Sequence, residues 1–276
     1  MSLPFSVLLS VYFKESPAYL EQSLSSVLID QTVPPSEVVL VCDGVLTEEL
    51  ESVIFNYQSR FPDVLKVTRK DNGGLGKALS FGMNFCTNEL IARMDTDDIC
   101  YPDRFEKQLA FFENHPEYDV VGGLLEEFVD SVQKPVSIRA VPETHAGIVS
   151  FSKKKNPINH PTVMFRKSAV ERAGSYQHFP LFEDYFLWVR MIRSGSLFYN
   201  IQEPLIHFRS SEDMYKRRGG LRYAIEEVRF EYTLLKIRHI NFFQFLYNSS
   251  VRFIVHIIPN SLRARIYKKY LRNSVN

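Results

Sequence analysis

Cysteine is scarce in this chain. Cys42, Cys86 and Cys100 are the only ones in 276 residues, and their spacing suits neither a disulfide framework nor a metal knot. They fit a reduced, cytoplasmic protein with inert thiols. Long hydrophobic runs are also missing: no stretch of about 18 uninterrupted apolar residues occurs, so no membrane span is expected. Leu3 to Tyr12 is apolar, but no basic segment precedes it and no small-residue cleavage site follows. It reads as a first β-strand rather than a signal peptide. Net charge is only +1, which argues neither for nor against nucleic acid, and none is expected as a partner. There is no internal repeat and no low-complexity linker. The hydrophobic fraction, 45%, suffices for a buried core, and the length suits one large domain or one domain with an appendage.

What is present is a regular alternation. Strand signals at Phe5–Val11, Glu37–Cys42, Val64–Thr68, Leu90–Met94 and Asp119–Gly122 are separated by helical signals at Pro17–Ile29, Thr47–Tyr57, Lys77–Phe85 and Asp103–Glu113. Ser16 and Thr47 stand at N-cap positions, and Pro17 suits a first helical turn. Strands spaced by helices of this length predict βαβ units and a mostly parallel sheet. Beyond about residue 125 the pattern loosens. Strands are expected at Glu126–Val132, Val136–Val141, Thr162–Phe165 and Leu205–Arg209, with helices at Glu143–Phe151, Lys167–Ala173, Phe186–Ser194 and Leu221–Arg238.

The chemistry concentrates in Arg93-Met94-Asp95-Thr96-Asp97-Asp98, directly after the strand signal Leu90-Ile91-Ala92. Carboxylates at a strand's C-terminal end form an oxygen-rich edge where an α/β sheet usually places its ligand. Hard divalent cations bind one or two carboxylates together with substrate phosphates, so the stretch suggests a metal–diphosphate clamp. Asp-rich turns also serve to bond their own backbone and cap the next helix, and Asp98 is open to either role. Ser10 and Tyr12 end the first strand and Asp43-Gly44 the second. The Tyr12 ring suits stacking on a nucleobase or strand-end packing. The glycine-rich turn Asn72-Gly73-Gly74-Leu75-Gly76 leads to Lys77, whose ammonium would reach a diphosphate as a point charge, though the Walker spacing is absent. Glu183-Asp184 precedes an aromatic helix containing Trp188, the only tryptophan, which reads as core. His160 and His207 are isolated and read as structural.

The order and spacing of Glu37-Val38-Val39-Leu40-Val41-Cys42-Asp43-Gly44, Asn72-Gly73-Gly74-Leu75-Gly76-Lys77, Ala92-Arg93-Met94-Asp95-Thr96-Asp97-Asp98, His160-Pro161-Thr162-Val163-Met164-Phe165-Arg166 and Glu183-Asp184-Tyr185 resemble the family 2 glycosyltransferases. These are inverting, nucleotide-sugar-dependent enzymes, here closest in feel to bacterial enzymes of surface-polysaccharide and O-antigen synthesis. The resemblance covers about residues 4 to 220. It implies a GT-A fold, with a Rossmann-like, mostly parallel sheet flanked by helices. Asp97 is implied as the ligand of Mn²⁺ or Mg²⁺, with Asp95 toward the ribose or the metal. Asp43 is implied to meet the base ring, although many members carry two consecutive acids where this chain has Cys42-Asp43. Ser10, Tyr12 and Lys77 complete the expected nucleotide-sugar site. Asp184 is the expected general base, taking the acceptor's hydroxyl proton; Glu183 is the alternative base and is expected to orient the acceptor or the base. A segment after the base helix closes over the diphosphate in such enzymes, and Arg209, Arg217 and Arg218 occupy it here. The expected reaction moves a hexose or N-acetylhexosamine, galactose as first guess, from a nucleotide diphosphate donor expected to be UDP-linked, and the implied acceptor is a saccharide on a polyprenyl diphosphate. A nucleotidyltransferase and a catalytically silent sugar-nucleotide scaffold are the rival readings.

Residues 1–220 are thus expected to form the catalytic domain and 221–276 a helical extension. From Lys236 onward the chain carries eight Lys or Arg and no Asp or Glu, with seven aromatic residues and Pro259 as a divider. A basic amphipathic segment suits peripheral contact with the anionic inner face of the cytoplasmic membrane. The competing expectation is that it packs on the catalytic domain or on a second subunit in a homo-oligomer.

Overall fold

A computed structural model describes residues 3–210 and 220–257, with side chains through residue 253. Nine strands form one sheet: β1 (Phe5–Val11), β2 (Glu37–Asp43), β3 (Leu65–Lys70), β4 (Leu90–Arg93), β5 (Ile99–Cys100), β6 (Val120–Phe128), β7 (Ser137–Arg139), β8 (Met164–Arg166) and β9 (Phe198–Arg209). Their order is β3-β2-β1-β4-β8-β6-β9-β5, with β7 beside β6. The β1–β2, β2–β3, β1–β4 and β6–β9 pairs are parallel. Inserting β8 antiparallel between β4 and β6 makes the sheet mixed. Helices α1 (Pro17–Leu28), α2 (Glu48–Arg60), α3 (Leu75–Met83) and α4 (Arg104–Asn114) connect the first strands. Then come α5 (His145–Phe151), α6 (Lys167–Arg172) and α7 (Glu183–Arg193).

Both sheet faces are covered, which is why β1 and β2 read as continuous apolar runs rather than alternating ones. Phe5, Val7, Leu9 and Val11 pack with α1, α2 and α4, whereas Leu8, Val39 and Val41 pack with Ala78 and Leu79 of α3. Helix α3 lies close on the sheet through Gly82. A methyl group there would stand 2.5 Å from a Leu8 methyl and 2.6 Å from Val41.

The second half departs from the sequence pattern in instructive ways. Val120–Phe128 is one strand where two were expected, and β9 begins at Phe198 rather than Leu205. The β6–β9 register shifts on either side of Leu124, which lies opposite Pro204. A proline that cannot donate to the ladder is tolerated at such an irregularity. Strand β5 was not anticipated at all, being two residues long and held against β9.

Two helices, α8 (Leu221–Lys236) and α9 (Phe242–Ile257), form a hairpin. It does not stand apart. Phe230, Leu234 and Ile240 share a buried cluster with Phe182, Tyr185 and Val189 at and within α7. Phe230 is stacked on Phe182 with ring centres 4.8 Å apart. The hairpin therefore rests on the helix that begins with Glu183. No helix among the described residues is long and apolar enough to cross a membrane.

Candidate active site

The chain leaves β1, builds outward through β2 and β3, then returns to β4 on the other side of β1. This reversal opens a crevice at the strands' C-terminal ends, the usual ligand position in such sheets. The acidic loop occupies it. Asp95, Asp97 and Asp98 bring carboxylate oxygens within 4.8 Å of one another. Ser23 of α1 donates to the Asp95 carbonyl at 2.9 Å. Thr96 donates to Glu15 at 2.9 Å and to the Ser10 carbonyl at 3.3 Å. Arg104 is fully buried and donates to the Arg93 carbonyl at 2.8 Å, fixing the end of β4.

Arg93 closes both guanidinium amino groups on the Asp95 carboxylate from the buried side. Asp98 does not cap the following helix. Its Oδ1 accepts the Arg209 backbone N–H at 2.9 Å, and its buried Oδ2 has no hydrogen-bond partner among the described residues. Burial pushes the Asp97 carboxyl up to about 7, with the charges of Asp95 and Glu15 adding to it. Asp98 is also raised well above the usual carboxylate range, again by burial first and then by Asp97 and Asp95. A compact set of mutually repelling carboxylates with one orphaned buried oxygen fits a hard divalent cation of the Mg²⁺ or Mn²⁺ type.

Arg209 is the last residue of β9 and not part of a free loop. Its guanidinium donates to the Asp97 carbonyl at 3.0 Å and to Gln22 at 2.6 Å, and lies 3.8 Å over the Tyr19 ring. It braces the acidic loop instead of reaching outward. Arg217 and Arg218 lie outside the described residues.

The glycine-rich turn is fastened by Asp43. One carboxylate oxygen accepts from Lys70 at 2.7 Å and from the Gly73 N–H at 2.9 Å; the other accepts from the Gly74 N–H at 2.8 Å. Gly74 opens α3 with φ of 86°, a left-handed value that favours glycine. Lys77 is exposed in the first turn of α3, and Tyr12 is 38% exposed beside Phe13. Ser10 is half-buried at the end of β1.

Glu183 and Asp184 start α7, within its first turn rather than ahead of it. Asp184 accepts from the Asn156 side-chain amide at 2.6 Å. Burial raises its carboxyl, opposed by that hydrogen bond and by the charges of Arg93 and Arg139. Burial also pushes Glu183 up to about 7, with the Asp184 charge contributing. Glu183 lines a cleft of about 180 Å³ with Gly74, Gly76 and His178. A Cβ on Gly76 would come within 3.2 Å of the Glu183 Cβ, so the glycine turn and the start of α7 touch. Arg93 is the charge common to both carboxylate groups, since its field favours the ionised forms of Asp97, Asp98, Glu183 and Asp184 alike.

Arg93, Glu15, Arg104 and Asn156 were not singled out from the sequence. Only Arg93 left a trace there, as a cation inside an apolar strand. His160 and Trp188 are core residues as expected. His160 meets the Tyr176 hydroxyl at 2.9 Å, and Trp188 is fully buried. His207 pairs with Glu126 at 3.1 Å and stacks on Tyr101.

The comparisons agree with this geometry. The chain is 38% identical over 97% of its length, and 96% of the relative's, to an Escherichia coli UDP-Gal:alpha-D-GlcNAc-diphosphoundecaprenol beta-1,3-galactosyltransferase. It is 39% identical over 96% of its length, and 98% of the relative's, to the amylovoran biosynthesis glycosyltransferase AmsE of Erwinia amylovora. Among solved structures, the Pyrobaculum calidifontis mannosyltransferase PcManGT, in complex with GDP-Man and Mn²⁺, matches with a TM-score of 0.66 at 15% identity, covering 96% of this chain and 73% of that one. S. aureus TarS 1-349 with UDP-GlcNAc matches at 0.64 and 16%, covering 98% and 72%. These neighbours establish the GT-A fold. The family model for glycosyl transferase family 2 matches residues 6–174. The chain belongs to glycosyltransferase family 2.

Proposed function

We propose that the protein transfers galactose from UDP-galactose, with inversion, to a hydroxyl of a saccharide carried on a polyprenyl diphosphate in surface-polysaccharide synthesis. The observation that carries this reading is the meeting of two carboxylate groups across one crevice. Asp95, Asp97 and Asp98 stand at the sheet's switch point, Glu183 and Asp184 start α7 against the glycine turn, and the charge of Arg93, which is paired with Asp95, acts on both groups. The relative of 38% identity supports the choice of donor and acceptor.

Asp184 takes the proton of the acceptor hydroxyl as that oxygen attacks the anomeric carbon. The bond from this carbon to the diphosphate breaks, and the nucleoside diphosphate leaves from the opposite face. Asn156 holds the Asp184 carboxylate and keeps one oxygen occupied, which orients the other. Glu183 touches the glycine turn and orients acceptor or base. Asp97, with Asp95 and Asp98, would hold Mn²⁺ or Mg²⁺. Such an ion supplies positive charge against the growing negative charge of the leaving diphosphate. Asp43 keeps the glycine turn shaped for the nucleotide, while Ser10, Tyr12 and Lys77 border the same crevice.

The outward face of α9 supports peripheral membrane contact. Phe243 is 79% exposed and Tyr247 67%, and Phe242, Leu246 and Val251 are exposed with them. An apolar face of this kind beside a basic tail suits an anionic bilayer surface, where the lipid-linked acceptor resides.

The test uses purified protein, UDP-galactose and an N-acetylglucosaminyl diphosphate carrying an undecyl chain, with release of UDP and the linkage of the product as readouts. Asp184→Asn should lower the transfer rate by about 10²–10⁴ while UDP affinity by calorimetry stays within about twofold. An Asp184→Asn enzyme of normal rate overturns the assignment of the base.

A further inference from the structure

Helix α5 ends at Phe151, and the chain turns through Ser152, Lys153 and Lys154 toward Asn156, whose amide donates to Asp184 at 2.6 Å. The last carbonyls of a helix have no partner inside it, and at an exposed end water takes them. Here side chains from distant elements take three in succession. Tyr185 donates to the Ser152 carbonyl at 2.7 Å, Asn248 to the Lys153 carbonyl at 2.9 Å, and Arg252 to the Lys154 carbonyl. His239, in the turn between α8 and α9, meets the Ser152 hydroxyl at 2.9 Å.

Two of these donors, Asn248 and Arg252, stand one helical turn apart on α9 and are themselves held. Arg252 pairs with Glu227 and lies 3.3 Å from Glu231, and Asn248 donates to Glu231 at 3.0 Å. Both glutamates are buried, one turn apart on α8. Taking a cation and two carboxylates out of water is costly and often not repaid in stability. The apolar cluster of Phe230, Leu234 and Ile240 already joins the hairpin to α7. The polar cluster does something else: it reaches the segment that ends at Asn156. That segment is also tied to α7 twice, by Tyr185 to Ser152 and by Asp184 to Asn156. The carbonyls held by α9 lie between those two ties in sequence.

Resting on the reading that Asp184 is the general base, we propose that Arg252 and Asn248 are positioning residues, which hold the Lys153 and Lys154 carbonyls and so set Asn156 against the Asp184 carboxylate. Both act through Asn156. The range of a hydrogen bond is narrow, so a segment released from α9 carries the Asn156 amide out of reach. Asp184 then loses its orientation and a donor that favours its ionised form. The other groups whose charge bears on Asp184 are Glu183 beside it, Arg93 on β4, Arg139 on β7 and the Tyr176 hydroxyl. None of them belongs to the hairpin. The base is thus held from the helix whose exposed face carries Phe243 and Tyr247.

The test measures transfer from UDP-galactose to the undecyl-linked N-acetylglucosaminyl diphosphate. Arg252→Met alone would strand two buried carboxylates, so Glu227→Gln, Glu231→Gln and Arg252→Met are made together, leaving no buried charge unpaired. Asn248→Ala is measured beside this neutral set. Each should lower kcat about tenfold and leave the KM for UDP-galactose within about twofold. Each should also move the acidic limb of the kcat profile to higher pH, because Asp184 without the Asn156 donor keeps its proton longer. Asn156→Ala should do the same, and adding it to the neutral set should cost little more, since both act through one contact. Arg252→Lys, which keeps a charged donor, should retain most of kcat. If Asp184→Asn loses transfer while the neutral set and Asn248→Ala keep the parental kcat and acidic limb, the positioning role is wrong and the function stands. A lower kcat with an unmoved limb and full additivity with Asn156→Ala reports a general loss of packing and overturns the role as well. An Asp184→Asn enzyme of normal rate overturns the functional reading, and this inference with it.

Discussion

Replacing Asp97 with asparagine should stabilise the cation-free protein increasingly as pH rises. The Asp97 carboxyl is pushed from 3.8 to about 7 by burial and by the charges of Asp95 and Glu15. An acid raised in this way binds its proton more tightly in the folded than in the unfolded chain. Its contribution is thus most favourable below the unfolded value and is lost as pH climbs through the folded one. At 1.36 kcal/mol per unit, the loss reaches about 1.7 kcal/mol at pH 5 and about 4.3 kcal/mol at pH 8. An asparagine side chain carries no such loss, so the stability of Asp97→Asn relative to the parent should grow by about 2.6 kcal/mol between these pH values. Residual exposure of Asp97 and its sharing of charge with Asp98 reduce that to about 1–2 kcal/mol. Urea unfolding in the presence of EDTA, at pH 5 and pH 8, measures the difference directly. With Mn²⁺ added, the parent should recover and overtake the variant, because cation binding favours the folded state only where the ligands are intact. A relative stability that stays flat or falls from pH 5 to pH 8 in EDTA would refute the argument that repulsion in this loop is held against the fold.

Three further outcomes follow from the packing. Phe230→Ala removes a fully buried ring between Phe182 and Tyr185 and should cost about 3–5 kcal/mol in urea unfolding; a loss below about 1 kcal/mol would mean the hairpin does not lean on α7. Asp43→Asn takes an acceptor from the Lys70, Gly73 and Gly74 contacts and should weaken UDP binding about tenfold by calorimetry, with unchanged affinity counting against the role of the fastened turn. The double change Phe243→Glu with Tyr247→Glu should abolish flotation with anionic liposomes, since burying each side chain in lipid is worth about 1.5–3 kcal/mol; retained flotation with normal circular dichroism would exclude this face as the contact.

The parallel half was legible because its signals are local. Apolar runs in β1 and β2, a threonine cap on α2 and acids at the end of β4 each sit within a few residues of what they specify. The acidic loop was legible for the same reason, whereas the Glu183-Asp184 pair was singled out through the family resemblance. What escaped was everything that depends on a distant neighbour. Strand β9 continues through Pro204 because β6 shifts register opposite it. Arg209 was expected to reach over a diphosphate, yet Asp97, Gln22 and two aromatic rings occupy it. Arg93 looked like an interruption of a strand, and the structure pairs it with Asp95 while its charge also acts on Glu183 and Asp184, far away in sequence. A buried guanidinium without partners is too costly to keep, so its presence in an apolar strand already implied acids converging on it.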